Sequence, residues 1–264
     1  MRNLLKRSFS GIIYVVLFIT AILVAKESYI VLIAAFSVLC VWEFLQIIKL
    51  KNIVPYLFFG MTAFLMMMRP QSYAINGILG INLISCLFLI YQLLSKKEIK
   101  YETERQKLGF TIRYLIFSLC FLLLLPFYKG EYTPYLMIAI LVLIWVNDSF
   151  AFLVGKNFGK RKLFVSVSPK KTQEGFIGGF VFSLIAAYII SLLNKDFELI
   201  NWIIISIILS VIGTLGDLVE SKLKRQANIK DSGTIMPGHG GIFDRLDSLL
   251  FAAPFVYLYI NFII

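Results

Sequence analysis

Histidine occurs once in this chain, at His239, and cysteine three times, at Cys40, Cys86 and Cys120. The cysteines all lie inside apolar runs, with no CxxC pair and no Cys/His spacing, so they show no zinc site and no disulfide framework. They read as small buried or lipid-facing hydrophobes. A Ser–His–Asp hydrolase would have to use the single histidine, and no GxSxG nucleophile turn accompanies it. Charge is scarce as well: 16% of residues are charged, against about 25% in a soluble domain. No internal repeat or low-complexity stretch is visible.

What fills the chain instead is apolar. Hydrophobic residues make up 59% of its 264 positions, where soluble domains hold roughly 45–50%. A soluble fold of this length cannot hide so many such side chains, so lipid must be the solvent for much of the surface. The same numbers exclude disorder. The N-terminus, MRNLLKRSFSGIIYVVLFITAILVA, has the basic start and apolar stretch of a signal peptide. It has no clear small-x-small cleavage site, and reads as an uncleaved first span. Apolar runs at 11–25, 29–48, 53–68, 73–93, 110–128, 135–155, 176–193, 199–218 and 249–264 reach or approach the roughly 17–25 residues a membrane-crossing helix needs. The first, third and last are slightly short, which tilt or bilayer adaptation can absorb. The runs are continuous rather than alternating, which excludes a β-barrel. The expectation is an all-α polytopic integral membrane protein with about nine transmembrane helices.

Basic residues test that count independently, because cytoplasmic segments carry the Lys and Arg excess. With the N-terminus cytoplasmic and the C-terminus outside, only Lys26, Arg69, Lys129 and Lys195 of the 26 fall in outer segments. A miscounted span would scramble this alternation. The net charge of +11 therefore follows from orientation and contact with anionic headgroups, and nucleic-acid binding has no support. Residues 1–108 read as a four-span membrane anchor. Residues 109–264 read as a five-span catalytic region with two large cytoplasmic loops, at 145–179 and 213–248. Glu43 lies within the second span, where an ionisable group is costly. Its position near the inner end reads as snorkelling.

The second loop carries the chemistry. Asp217 closes the eighth span, and if that helix runs on, Asp217, Glu220, Ser221 and Lys224 share one face. Asp244 and Asp247 share a face at the start of the ninth. Two such helix ends at one interface could converge on a divalent cation, and oxygen-only ligands suit Mg²⁺. Between them KDSGTIMPGHGG brings glycines that let backbone N–H groups approach a phosphate. Lys222, Lys224, Arg225, Lys230 and Arg245 surround it. This is a kit for phosphoryl or nucleotidyl transfer. Taken singly, each cation is also an orientation charge, each glycine a turn, and Asp247 a favourable charge at a helix N-terminus. Spacing alone leaves both readings open. His239 reads as a turn residue or phosphate donor rather than a catalytic base.

Residues 221–247, SKLKRQANIKDSGTIMPGHGGIFDRLD, resemble the signature of the phosphatidate cytidylyltransferases (CDP-diacylglycerol synthases). Its fixed positions are matched by Ser221, Lys224, Arg225, Lys230, Asp231, Gly233, Pro237, His239, Gly240, Gly241, Asp244, Arg245 and Asp247. Upstream, Asn147-Asp148-Ser149, Gly155-Lys156, Phe158-Gly159, the stretch Ser168-Pro169-Lys170-Lys171-Thr172 and Glu174-Gly175 are similar to the family's other characteristic segment. The resemblance covers about 145–248, and the first hundred residues match only in hydropathy. It implies that phosphatidate and CTP give CDP-diacylglycerol and pyrophosphate with Mg²⁺ required; the basic-residue pattern puts both loops on the cytoplasmic side, and the compact length favours a bacterial inner membrane. It implies Asp217 and Asp244 as metal ligands, with Asp148 and Asp247 next. Lys170, Lys171, Lys224, Arg225 and Arg245 would neutralise phosphates. Ser221 and Asp247 join the catalytic set, and Lys230, Asp231, His239, Gly240 and Gly241 the substrate-binding set. The partners are CTP, phosphatidate and the lipid bilayer, and a homodimer is compatible with the reading. The rivals are a transporter, and a relative acting on another lipid phosphate.

Overall fold

The computed structural model describes residues 2–69, 72–95, 97–236, 238 and 240–264, with side chains from residue 9 onward. Pro237 and His239 therefore lie outside the described residues. Helices α1 (Arg2–Val24), α2 (Lys26–Ile47), α3 (Val54–Met68) and α4 (Tyr73–Leu94) come first. Then α5 (Glu104–Phe110) runs through a π-helical segment (Thr111–Ile116) into α6 (Phe117–Leu124). The chain continues as α7 (Pro134–Phe158), α8 (Gln173–Leu193), α9 (Leu199–Gln226) and α10 (Phe243–Phe262). Six helical stretches are long and apolar enough to cross a membrane: α2, α4, the α5–α6 unit, α7, α8 and α9. The apolar part of α1, Phe9–Val24, and α3 are shorter. The fold is that of a predominantly helical, multi-pass membrane protein.

Two short antiparallel hairpins qualify the all-helical expectation. Strands β1 (Phe127–Tyr128) and β2 (Glu131–Tyr132) are joined by Lys129 and Gly130, whose φ of 51° and 85° make the left-handed pair of a type I′ turn. Strands β3 (Lys162–Phe164) and β4 (Ser168–Thr172) pair Lys162 with Thr172 and Phe164 with Ser168. The Ser-Pro-Lys-Lys-Thr stretch is thus strand β4. Pro169 is tolerated because a two-stranded ribbon consists only of edges.

Small residues bring the C-terminal helices close. A Cβ on Gly175 or Gly179 of α8 would overlap the Ala151 or Asn147 carbonyl of α7, the small-residue contact that lets membrane helices touch backbone to backbone. Ser183 and Ser206 hydroxyls pair at 2.8 Å between α8 and α9, and a Cβ on Gly216 of α9 would overlap Phe251 of α10. Thr172 fixes the junction of β4 and α8, its hydroxyl accepting the Gly175 N–H at 3.1 Å. Helix α9 continues past residue 218 to Gln226, as the Asp217–Lys224 face anticipates. Asn228, just past its end with φ of 58°, closes it: Ile229 N–H donates to the Lys224 carbonyl at 2.9 Å and Asn228 N–H to that of Arg225 at 3.0 Å. The Lys222 ammonium donates to the Gln92 carbonyl at 2.8 Å and to that of Lys97, tying α9 to the end of α4.

Candidate active site

These crossings enclose a cavity of about 460 Å³ among α7, β4, α9 and α10. Helix α7 contributes Asp148 and Lys156, strand β4 Lys170 and Lys171, and α9 Asp217 and Lys224. The α9–α10 loop adds Asp231, and the first turns of α10 add Asp244, Arg245 and Asp247. All but Lys156 are site residues expected from the sequence. Carboxylates and cations are equal in number on these walls, an arrangement suited to a polyanion accompanied by a metal ion. Ser221, Arg225, Lys230, Gly240 and Gly241 do not line the cavity. Ser221 donates to Asp217 Oδ1 at 3.3 Å. Arg225 donates to the Ile229 carbonyl at 3.2 Å, closing the turn after α9, and Lys230 is exposed.

Two ion pairs cross the cavity. Lys171 Nζ of β4 meets Asp217 Oδ2 of α9. Burial pulls the Lys171 pKa down, but the Asp217 carboxylate and its hydrogen bond, with Asp247 and Asp148 beyond, hold it above its ordinary value. Lys224 Nζ lies 2.5 Å from Asp244 Oδ1 and 3.2 Å from Glu220 Oε1. Glu220 is wholly buried, with Asp247 against it. Lys224 therefore already neutralises two carboxylates. Among the described residues, Lys156 and Lys170 make no ion pair.

The glycine-rich loop is held from an unexpected quarter. Glu43 of α2 is fully buried rather than snorkelling. Its Oε2 accepts the Ser232 hydroxyl at 3.0 Å and the Phe243 N–H at 2.8 Å, and its Oε1 accepts the Ile242 N–H at 3.1 Å. A Cβ on Gly233 or Gly241 would overlap this carboxylate, which explains two glycines of the signature. A second clamp sits beside it: Asp244 Oδ2 accepts the N–H groups of Ser232 and Gly241, both at 2.8 Å. Gly240 has φ of 91°, which a side chain would strain, and its carbonyl accepts the Met236 N–H at 2.9 Å. Sequence reasoning missed Glu43 because its partners are 189 to 200 residues away. The signal available was the cost of a carboxylate within an apolar span.

Among the described residues no three acidic, histidine or cysteine side chains form a ready-made metal cage. A Mg²⁺ site needs none, since that ion uses one or two carboxylates and completes its shell with water and substrate phosphates. Asp148, Asp217 and Asp247 line the cavity together, close enough to feel one another's charge. That oxygen-only set fits such an ion. Asp244 and Asp217 each have both oxygens engaged by protein donors, Asp244 by Lys224, Ser232 and Gly241 and Asp217 by Lys171 and Ser221.

A profile of the cytidylyltransferase family matches residues 5–263. The chain belongs to that family. Phosphatidate cytidylyltransferases are similar to it over nearly their full length. That of Bacillus subtilis (strain 168) is 36% identical over 266 residues, 97% of each chain. That of Staphylococcus haemolyticus (strain JCSC1435) is 35% identical over 256 residues, 94% of this chain and 95% of the relative. That of Haemophilus influenzae is 33% identical over 292 residues, 98% of this chain and 99% of the relative. The family likeness thus extends through the first hundred residues, which the sequence reading matched only in hydropathy. Glu43, buried under the signature loop, lies inside that span.

Proposed function

We propose that this cavity transfers a cytidylyl group from CTP to phosphatidate, giving CDP-diacylglycerol and pyrophosphate. The carrying observation is the cavity lined by both carboxylates and cations, set among apolar helices in a chain whose near-full-length relatives bear the name phosphatidate cytidylyltransferase. A phosphate oxygen of the lipid attacks the α-phosphorus of CTP. The bond from that phosphorus to the β-phosphate oxygen breaks, and pyrophosphate leaves. The nucleophile belongs to the substrate, so no covalent enzyme intermediate is needed. Lys156, Lys170, Lys171 and Arg245 bind and orient the phosphates, and positioning with charge neutralisation does the rest.

When bound, Mg²⁺ supplies charge neutralisation on the triphosphate. Sequence resemblance nominates Asp217 and Asp244 as its holders. Asp148 and Asp247 line the same cavity as these two, and Asp244 also holds the loop through Ser232, Gly241 and Lys224. Nine crossings, with the N-terminus cytoplasmic and the C-terminus outside, complete the proposal and give the cavity to the side where CTP is found.

Purified protein incubated with radiolabelled CTP, Mg²⁺ and a panel of lipid phosphates should label phosphatidate. Asp217→Asn keeps the volume and removes the charge, so its rate should fall at least about a hundredfold. Asp244→Asn should fall comparably, through a displaced loop. Labelling of a different lipid phosphate instead would reassign the substrate. Near-normal turnover by Asp217→Asn at saturating Mg²⁺ would remove Asp217 from the metal site.

A further inference from the structure

The π-helical turn between α5 and α6 carries a polar group that does not line the cavity. Asn82 of α4, wholly buried, donates its amide to the Arg113 carbonyl at 2.7 Å and to the Ser118 hydroxyl at 3.2 Å. These bonds hold the widened turn, a helical form frequent at functional sites. Tyr114 projects from it, fully buried. Its ring packs on Phe44 of α2, on Phe110, and on Phe251 of α10, at centroid distances of 5.9, 5.6 and 5.9 Å. Its hydroxyl has no hydrogen-bond partner among the described residues.

Tyr114 stands over the seam by which α9 and α10 bring carboxylates to the cavity. On α10, Asp247 and Phe251 are four apart and share a face; Gly216 and Glu220 do the same on α9. A Cβ on Gly216 would overlap the Phe251 side chain and crowd the Asp247 carbonyl, so these are the faces in contact. Packed on Phe251, the Tyr114 phenol feels the Glu220 carboxyl more than any other charge. Neither Glu220 oxygen accepts a hydrogen bond from a described residue. Its cation, Lys224 at 3.2 Å, is turned also to Asp244, and Asp247 lies against it. A buried donor without an acceptor thus faces a buried acceptor without a donor. One ordered water between them satisfies both.

We propose that Tyr114 is a positioning residue: through one buried water its hydroxyl holds the Glu220 carboxyl, which in turn fixes Asp247 at the cavity wall. This rests on the reading of the cavity as a Mg²⁺-assisted cytidylyl-transfer site. Neither Tyr114 nor Glu220 lines the cavity, so the phenol acts on substrate only through the carboxylates ahead of it. Partners that orient a metal's carboxylates from behind typically govern affinity or rate by about 10–100-fold.

The test uses full-length protein in nanodiscs and Tyr114→Phe, which removes the hydroxyl and keeps the ring. Thermal unfolding across a Mg²⁺ titration reads metal affinity without turnover. The Mg²⁺ concentration giving half-maximal stabilisation should rise about tenfold, and kcat should fall about tenfold, with the KM for CTP at saturating Mg²⁺ within about twofold. Glu220→Gln should shift the same quantities, and the double variant should be no worse than Glu220→Gln alone, since both break one link. Phe121→Leu is the control, its ring packing on Tyr257 at 4.9 Å instead of on the seam. It should lower the melting temperature and leave the Mg²⁺ midpoint unmoved. A normal midpoint and kcat in Tyr114→Phe would make the phenol mere core filling and overturn the proposal. So would losses that multiply in the double variant, an equal midpoint shift in Phe121→Leu, or a wild type that Mg²⁺ does not stabilise. If the wild type makes no CDP-diacylglycerol yet Tyr114→Phe still weakens Mg²⁺ about tenfold, the transfer reading fails and the positioning of Asp247 stands.

Discussion

Glu43 joins one carboxylate to three donors far along the chain, Ser232, Ile242 and Phe243. The two backbone donors cannot turn to other partners, and a charged acceptor contributes about 1.5–3 kcal/mol per hydrogen bond. Glu43→Gln places an amide N–H where an acceptor is needed, so one backbone N–H is left facing a donor. The loop that carries Asp244 should shift, and kcat should fall by about tenfold or more with the KM for CTP little changed. Gly241 supplies the complementary experiment. Its missing side chain makes room for the Glu43 carboxylate, so Gly241→Ala should injure the same loop by collision. Residues in such contact couple by about 0.5–3 kcal/mol. The double variant Glu43→Ala/Gly241→Ala should therefore lose less activity than the two single losses multiplied together. Strictly multiplicative losses in a cycle of purified proteins would mean that the carboxylate and the loop act separately.

At the scale of elements, the β3–β4 hairpin is the part that carries two cations to the cavity. Strand β4 delivers Lys171 to Asp217 and places Lys170 on the same cavity wall without an ion pair. Changing both to Gln should lower kcat/KM by on the order of tenfold or more, since each charge-assisted contact is worth about 1.5–3 kcal/mol. Unchanged kinetics for both substrates in a correctly inserted double variant would return the lysines to a purely orienting role. The raised Lys171 pKa also sets a pH expectation. A lysine raised in the folded state contributes stability that is complete below the free value of about 10.4 and is lost only as pH climbs through the higher folded value. The pH–rate profile should then show no fall from this group between about pH 7 and 9.5. A fall centred near pH 8 to 9 in the wild type that vanishes in Lys171→Gln would show an ammonium not held by Asp217. The helices were legible in the sequence because long continuous apolar runs have few alternatives, and α9's extension because Asp217, Glu220, Ser221 and Lys224 fall at helical spacing. The hairpin was hidden, since Lys, Ser and Pro in Ser168–Thr172 give no alternating pattern. The clamp by Glu43 was hidden for a different reason. No local rule links a carboxylate in the second helix to amides at the start of the tenth, and the close helix approaches at Gly175 and Gly216 that help to build the site depend on partners equally remote.

For the whole molecule, charge distribution and helix length answer different questions. Six helical stretches qualify as crossings by length and composition alone, and the remaining three need an argument from charge. Helix α10 opens with Asp244, Arg245 and Asp247, so its first turns are too polar for the hydrocarbon core and belong at the interface with the cavity. In the proposed nine-span topology, Lys26, Arg69, Lys129 and Lys195 form a sparse outer set, and that alternation holds only if α1, α3 and α10 all cross. The chain carries its own control for testing this, because Cys40, Cys86 and Cys120 are all fully buried. An impermeant maleimide applied to intact cells should leave the unaltered protein unlabelled. Lys162→Cys and Lys230→Cys place exposed thiols on the β3–β4 hairpin and on the α9–α10 loop. Both should react only after the membrane is permeabilised, whereas a cysteine appended after Ile264 should react in intact cells. Reaction of Lys230→Cys from outside would reverse the side of the catalytic loop, and with it the route by which CTP arrives. Protection of the appended cysteine would leave an even number of crossings, which α10 could satisfy only by lying on the membrane instead of spanning it.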